Sequence, residues 1–225
     1  MPGTHFEELL AGLTTGFTPV IDAGFSMEDY VHIDLSENNS GISAEALSSS
    51  KAFESFLEQQ SKKVAFGGYD EKRGLYKRSL LFSEDPSLQR NIHLGIDIWA
   101  AAGTAVLAVL DGKVHSFKDN NNFGDYGPTI ILEHEIQNTR FYSLYGHLSR
   151  TSLAGLHVGQ EFQKGEKIAV LGAAEENGDY APHLHFQLIK DIGSQKGDFP
   201  GVCSENDRAA MLTNCPNPNL LLKLK

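Results

Sequence analysis

Thr129-Ile130-Ile131-Leu132-Glu133-His134 and Phe141-Tyr142-Ser143-Leu144-Tyr145, with Gln137-Asn138 between them, decide the fold class of this chain. Both runs are rich in β-branched and aromatic residues, and the pair between them is turn chemistry. The pattern continues outward on both sides. Upstream lie β-type runs at 95–99, 105–110 and 113–117, and downstream at 167–171 and 184–189. Asp111-Gly112, the stretch from Asn120 to Gly124, and Lys164-Gly165 punctuate them. Short β-type runs this close, with few helical windows between them, predict a mainly β fold with an antiparallel core.

The flanks read differently. Thr4-His5-Phe6-Glu7 is a capping box, and Phe6, Leu9, Leu10 and Leu13 follow at helical spacing until Gly12, Gly16 and Pro19 end the helix. Residues 30–35 alternate like a strand, and 50–62 read as a second helix with Phe53, Phe56 and Leu57 on one face. A loop-rich connector over 67–86 holds one apolar patch, Leu80-Leu81-Phe82. Near the end, 204–214 reads as a helix, with Pro216 and Pro218 ending it before Leu220-Leu221-Leu222. The expected organisation is a helical or mixed extension over 1–65, a β domain over 66–190, and a C-terminal extension over 191–225 packing on the core.

Composition removes several function classes. The formal net charge of -10 makes nucleic acid a poor partner, because binding it needs a basic face. Ten acidic residues and the single cation Lys51 in residues 1–60 read as a solvated acidic face. No apolar run approaches the roughly 18 residues of a membrane span. The N-terminus shows no basic start, apolar stretch or small-residue cleavage site, and Glu7 and Glu8 stand where a signal peptide needs apolar residues. That favours a cytoplasmic location, with the cell envelope reached only by another export route. Cys203 and Cys215 are then expected reduced more than disulfide-bonded, and two cysteines do not make a zinc ribbon.

Three local patterns among the nine histidines carry the chemistry. In His93-Leu94-Gly95-Ile96-Asp97, positions i and i+4 of a strand share a face, and Gly95 between them leaves room for an ion. In His183-Leu184-His185, the two imidazoles share a face with Gln187, while Leu184, Phe186 and Leu188 take the other. Tyr145-Gly146-His147-Leu148 closes a predicted strand. Two imidazoles and one carboxylate suit Zn(II), with a fourth position left for water. Further histidines beside such an ion move protons or stabilise an oxyanion. His5, His32, His115 and His157 read as ordinary histidines, and His134 has no partner visible in sequence.

These motifs resemble the lysostaphin/LytM-type zinc endopeptidases over about residues 90–190. Gly103-Thr104-Ala105-Val106 with Ala108, and Asp111-Gly112-Lys113-Val114, are similar to that family's first hairpin. Val158-Gly159-Gln160, Lys164-Gly165, Ile168-Ala169 and Gly172 are similar to the segment before its last motif. The resemblance implies a β-rich, duplicated hybrid motif-like fold and hydrolysis of peptide bonds, usually in peptidoglycan cross-bridges. It implies one zinc ion on His93, Asp97 and His185, with His147 and His183 as the catalytic pair. The complete set favours catalysis over a non-catalytic binding or regulatory module. Tyr69-Asp70-Glu71 and the stretch from Asp198-Phe199-Pro200-Gly201 to Pro218-Asn219-Leu220 resemble a metallopeptidase-like segment found between kinase-like and aminotransferase modules in some large fusion proteins. With no export signal, that leaves a small intracellular amide or peptide as an alternative substrate.

Overall fold

β7 (Gly127–Ile136) and β8 (Thr139–Gly146) form the central hairpin of the protein. Its turn residues Gln137 and Asn138 both take left-handed backbone, φ 52 and 60, which matches the twist of a two-residue hairpin. The computed structural model describes residues 5–22, 24–60, 63–74 and 89–225. Within them the remaining strands are β1 (Tyr30–His32), β2 (Val64–Gly67), β3 (Ile92–His93), β4 (Ile96–Trp99), β5 (Ala105–Leu107), β6 (Gly112–Asn120), β9 (Glu161–Phe162), β10 (Lys167–Val170), β11 (His183–Ile189) and β12 (Val202–Cys203). Four helices flank them: α1 (His5–Gly12), α2 (Ser50–Glu58), α3 (Arg208–Asn214) and α4 (Asn219–Leu222). No helix among the described residues is long and apolar enough to cross a membrane.

The fold is mainly β. An eight-stranded sheet runs in the order β1-β2-β4-β11-β8-β7-β6-β9, antiparallel except for the β1–β2 pair. Two ribbons, β5–β10 and β3–β12, pack beside it. Both faces of the sheet are covered. Ile98, Leu132, Tyr145 and Phe186 belong to a cluster that also takes in Leu10 of α1 and Leu221 of α4. Ile131, Leu144 and Ile189 face the other way, toward Ile92, Leu94 and Cys215. The strict period of two along each strand produces this division. It explains why β11 is buried throughout while its side chains still split into an apolar set and a polar set.

Several elements depart from the sequence expectation. The strand expected at 95–99 begins at Ile96, and Leu94-Gly95 separate it from β3, which belongs to the ribbon with β12. Leu94 therefore packs in a different cluster from Ile96 and Ile98. The strand at 105–110 stops at Leu107, the one at 30–35 stops at His32, and the helix at 204–214 starts at Arg208. Leu220, Leu221 and Leu222 form α4, with Pro218 at its N-cap. A proline there is harmless, because the first helical turn has no carbonyl to receive its missing N–H. Thr4 of the capping box, Gln60's neighbours 61–62 and the patch Leu80-Leu81-Phe82 lie outside the described residues. Cys203 and Cys215 are free and buried.

His134 finds its partners inside this frame. Its Nδ1 lies 2.8 Å from Asp111 O and its Nε2 2.7 Å from Ser143 Oγ. Burial pulls its pKa below the ordinary value. An unfolded chain then binds a proton at this position, below about pH 6.5, that the folded chain refuses, so stability falls as pH falls. The urea midpoint of the metal-free protein is expected to drop between pH 7.5 and 5, and His134→Asn to flatten part of that slope. Equal slopes in the two proteins would count against this role.

Candidate metal centre

β4, β8 and β11 lie side by side, and their registers bring the motif residues together. Asp97 is the cross-strand partner of His185, and Trp99 of His183. His185 also sits opposite Gly146, the residue before His147. His93 arrives from the separate β3–β12 ribbon, so His93 and Asp97 meet from two different strands and not along one. His93 Nε2, Asp97 Oδ1 and His185 Nδ1 converge, with separations of 2.9, 3.1 and 3.2 Å. Among the described residues these three form the group able to hold a metal ion, all buried. Tetrahedral zinc, with bonds of about 2.0–2.1 Å, places its ligand atoms roughly 3.3–3.4 Å apart. An outward movement of a few tenths of an ångström thus suffices, and the donor set fits the ion.

Each imidazole is fixed by an acceptor on its outer nitrogen. His93 Nδ1 donates to Gly68 O at 2.8 Å, which leaves its Nε2 lone pair facing inward. His185 Nε2 donates to Gln187 Oε1 at 2.9 Å, leaving Nδ1 as the inward atom. Gln187 is itself held by its amide N–H groups on Pro200 O and Cys215 Sγ. His147 Nδ1 donates to Asn177 O at 2.7 Å and His183 Nδ1 to Ala181 O at 2.8 Å. Their rings lie 4.1 Å apart, and His183 Nε2 is 3.9 Å from Asp97 Oδ1. Burial, with the nearby Arg73 guanidinium, pushes the His93 pKa down to about 4. Burial also holds His147 and His183 below the ordinary imidazole range. These three imidazoles are thus neutral, with lone pairs available, at neutral pH.

Glycine and strained backbone make the room. A Cβ on Gly95 would come within 2.7 Å of the His185 ring and of Phe186 O. The space that Gly95 leaves is therefore filled by the His185 imidazole. Gly95→Ala is expected to displace that ring and weaken zinc affinity by about 10- to 100-fold, the size of effect seen when a ligand loses its orientation. Competition with a fluorescent chelator measures this, and unchanged affinity would overturn it. His147 takes left-handed backbone at φ 62, anchored by its N–H on Tyr126 O and its carbonyl accepting from Gly172 N. Such a conformation costs of order 1–3 kcal/mol for a non-glycine residue and turns the ring out of line with β8 toward His183.

Two residues to which the sequence reading gave no part in the site, Glu71 and Arg73, complete the centre. Arg73 Nη1 donates to Asp97 Oδ2 at 2.5 Å, and Arg73 Nε to Glu71 Oε2. Both Arg73 and Asp97 are almost fully buried. Glu71 Oε1 in turn accepts from Leu35 N at 2.9 Å. Arg73 therefore occupies one carboxylate oxygen of Asp97 and leaves Oδ1 for the histidine cluster. Burial raises the Asp97 pKa, but His93, the Arg73 guanidinium and imidazole hydrogen bonds more than reverse this and hold the carboxyl well below its usual range. The pattern Glu71-x-Arg73, which places both side chains on one side of an extended segment, was the available signal.

Residues 91–197 match the model of Peptidase family M23. The L-Ala–D-Glu endopeptidase of Bacillus subtilis is 32% identical over 115 residues, which cover 49% of this chain and 33% of that protein. The murein hydrolase activator NlpD of Escherichia coli is 35% identical over 94 residues, 42% of this chain and 22% of that protein. The crystallised catalytic domain of lysostaphin from Staphylococcus simulans is 26% identical, over 54% of this chain and 80% of that one, with a TM-score of 0.38. The chain spans a third or less of the length of these two curated relatives. All five motif residues fall inside the matched segment, whereas Glu71 and Arg73 precede it. Over residues 91–197 the chain is thus similar to Peptidase family M23.

Proposed function

We propose that this protein is a zinc-dependent peptidase that cleaves amide bonds of a peptide or peptidoglycan-like substrate. In this reading His93, Asp97 and His185 hold one ion, and His147 and His183 are the catalytic pair. The observation that carries it is the directed convergence of three ligand atoms, with each imidazole locked by an outer acceptor. Zinc, when bound, supplies a Lewis acid for the scissile carbonyl and acidifies water. His147 and His183 hold their protons on Nδ1 against backbone carbonyls. Each is thereby set to accept a proton at Nε2 and to return it to the leaving amine. As an imidazolium, either one stabilises a developing oxyanion. Residues 66–190 serve as the catalytic unit, and 1–65 and 191–225 as extensions built around it.

Metal analysis coupled to a hydrolysis screen of muropeptides and dipeptides tests this reading. The expected result is one zinc per chain and turnover of at least one of these classes. A purified protein that binds no stoichiometric zinc would sink it. The likeness to an activator of murein hydrolases favours a second reading, a binding or activating module. Full zinc occupancy with no turnover of any substrate in the screen would select that reading.

A further inference from the structure

We infer that the substrate of this site is a short, free-ended peptide or amino-acid amide, and not an internal link of a long polymer. The inference rests on the hydrolase reading above and narrows its substrate. A cavity of about 360 Å³ lies over the five motif residues. That is the lower end of the roughly 300–1,000 Å³ typical of small-molecule sites. Half of its lining comes from chain outside the M23 match. Leu35, Leu47, Ser49 and Phe53 line it from the N-terminal side, and Phe199 to Val202 from the C-terminal side. A polymer cleaved internally needs a groove that continues past the metal in both directions. Here two segments from outside the match add to the lining of a cavity of small-molecule size.

Both walls are fastened to the elements that carry the site. Phe53 of α2 sets its ring edge on Trp99 at 5.7 Å, and Trp99 stacks on His183. Ser50 Oγ donates to Asp179 Oδ1 at 3.3 Å, and Leu35 N to Glu71 Oε1. In the C-terminal wall Val202 pairs with His93 in the β3–β12 ribbon, and Leu94 N donates to Gly201 O at 2.9 Å. Gln187, which orients His185, donates to Pro200 O. Moving either wall aside would therefore disturb a contact one step from a metal ligand or a catalytic histidine. The walls are structural parts of the centre, and the substrate must fit within the cavity they line.

The test gives the zinc-loaded full chain three kinds of substrate at matched concentration. They are free di- and tripeptides, the same bonds placed mid-way in N-acetylated and C-amidated decapeptides, and peptidoglycan sacculi. The short peptides are expected to show kcat/KM at least about tenfold above the decapeptides, with sacculi uncleaved. Equal or preferred cleavage of decapeptides or sacculi overturns the inference and leaves the peptidase reading standing. If nothing is turned over, the peptidase reading fails, and calorimetric binding of the same dipeptides and decapeptides decides. Binding of the dipeptide alone supports the inference; equal binding of both, or of neither, overturns it. Trimming the wall by Phe53→Ala is expected to raise the decapeptide's share of turnover or binding. Leu47→Ala serves the same purpose if the first variant does not fold, and an unchanged ratio in a folded variant counts against the inference.

Discussion

His185→Ala is expected to leave the protein without bound zinc and to lower peptide hydrolysis by about three orders of magnitude or more, because several kcal/mol of transition-state stabilisation leave with the ion. His185 Nδ1 is one of the three converging ligand atoms, and its other nitrogen is committed to Gln187. Among the described residues only His93, Asp97 and His185 form such a group, and His183 Nε2 stands 3.9 Å from Asp97 Oδ1, farther than the 3.2 Å of His93 Nε2. His183→Ala supplies the contrast. It is expected to keep the zinc and to lose about 10²- to 10⁴-fold in kcat, the range of a general acid or base. Metal content by mass spectrometry and single-substrate kinetics, run on both variants, separate the roles. Zinc retained in His185→Ala together with activity would reverse the assignment of the His-x-His pair.

Arg73→Met is expected to destabilise the metal-free protein by about 3–5 kcal/mol, the usual penalty for removing one partner of a buried ion pair. The guanidinium lies between two carboxylates, Glu71 and Asp97, and its removal leaves both in a buried setting. Bound zinc would restore a positive charge beside Asp97 but not beside Glu71. The loss should therefore shrink, without vanishing, when zinc saturates the site. Chemical denaturation with and without zinc measures both quantities. A loss below about 1 kcal/mol in the metal-free protein would place Arg73 among surface-type pairs, contrary to its burial.

The legible part of this molecule was the part governed by a period of two. Alternation alone placed His183, His185 and Gln187 on one face of β11 and Leu184, Phe186 and Leu188 on the other, as the structure has them. It also put His93 and Asp97 together, though through the wrong geometry. The break at Leu94-Gly95 carries His93 into another ribbon, and only pairing with Val202, more than a hundred residues away, brings it back. Arg73 escaped for the same reason: its partner Asp97 is 24 residues on, and no local pattern reports a contact across a sheet. The role of Gln187 needed the distance to His185 Nε2. His134 gained a role only when Ser143, its near cross-strand neighbour, and Asp111 were seen on its two nitrogens. α4 was hidden by two prolines that read as stops, one of which is its cap.

The line from Leu35 N through Glu71 and Arg73 to Asp97 has a thermodynamic consequence. It joins the backbone of the N-terminal arm to a ligand atom's own carboxylate by three consecutive contacts. Coupling of this kind is reciprocal: whatever free energy a docked arm adds to ion affinity, the ion returns to the docking of the arm. An ion held on Asp97 would thus be coupled to the docking of residues 30–35. A change that loosens the arm must raise the dissociation constant of the ion by the same factor that loss of the ion loosens the arm.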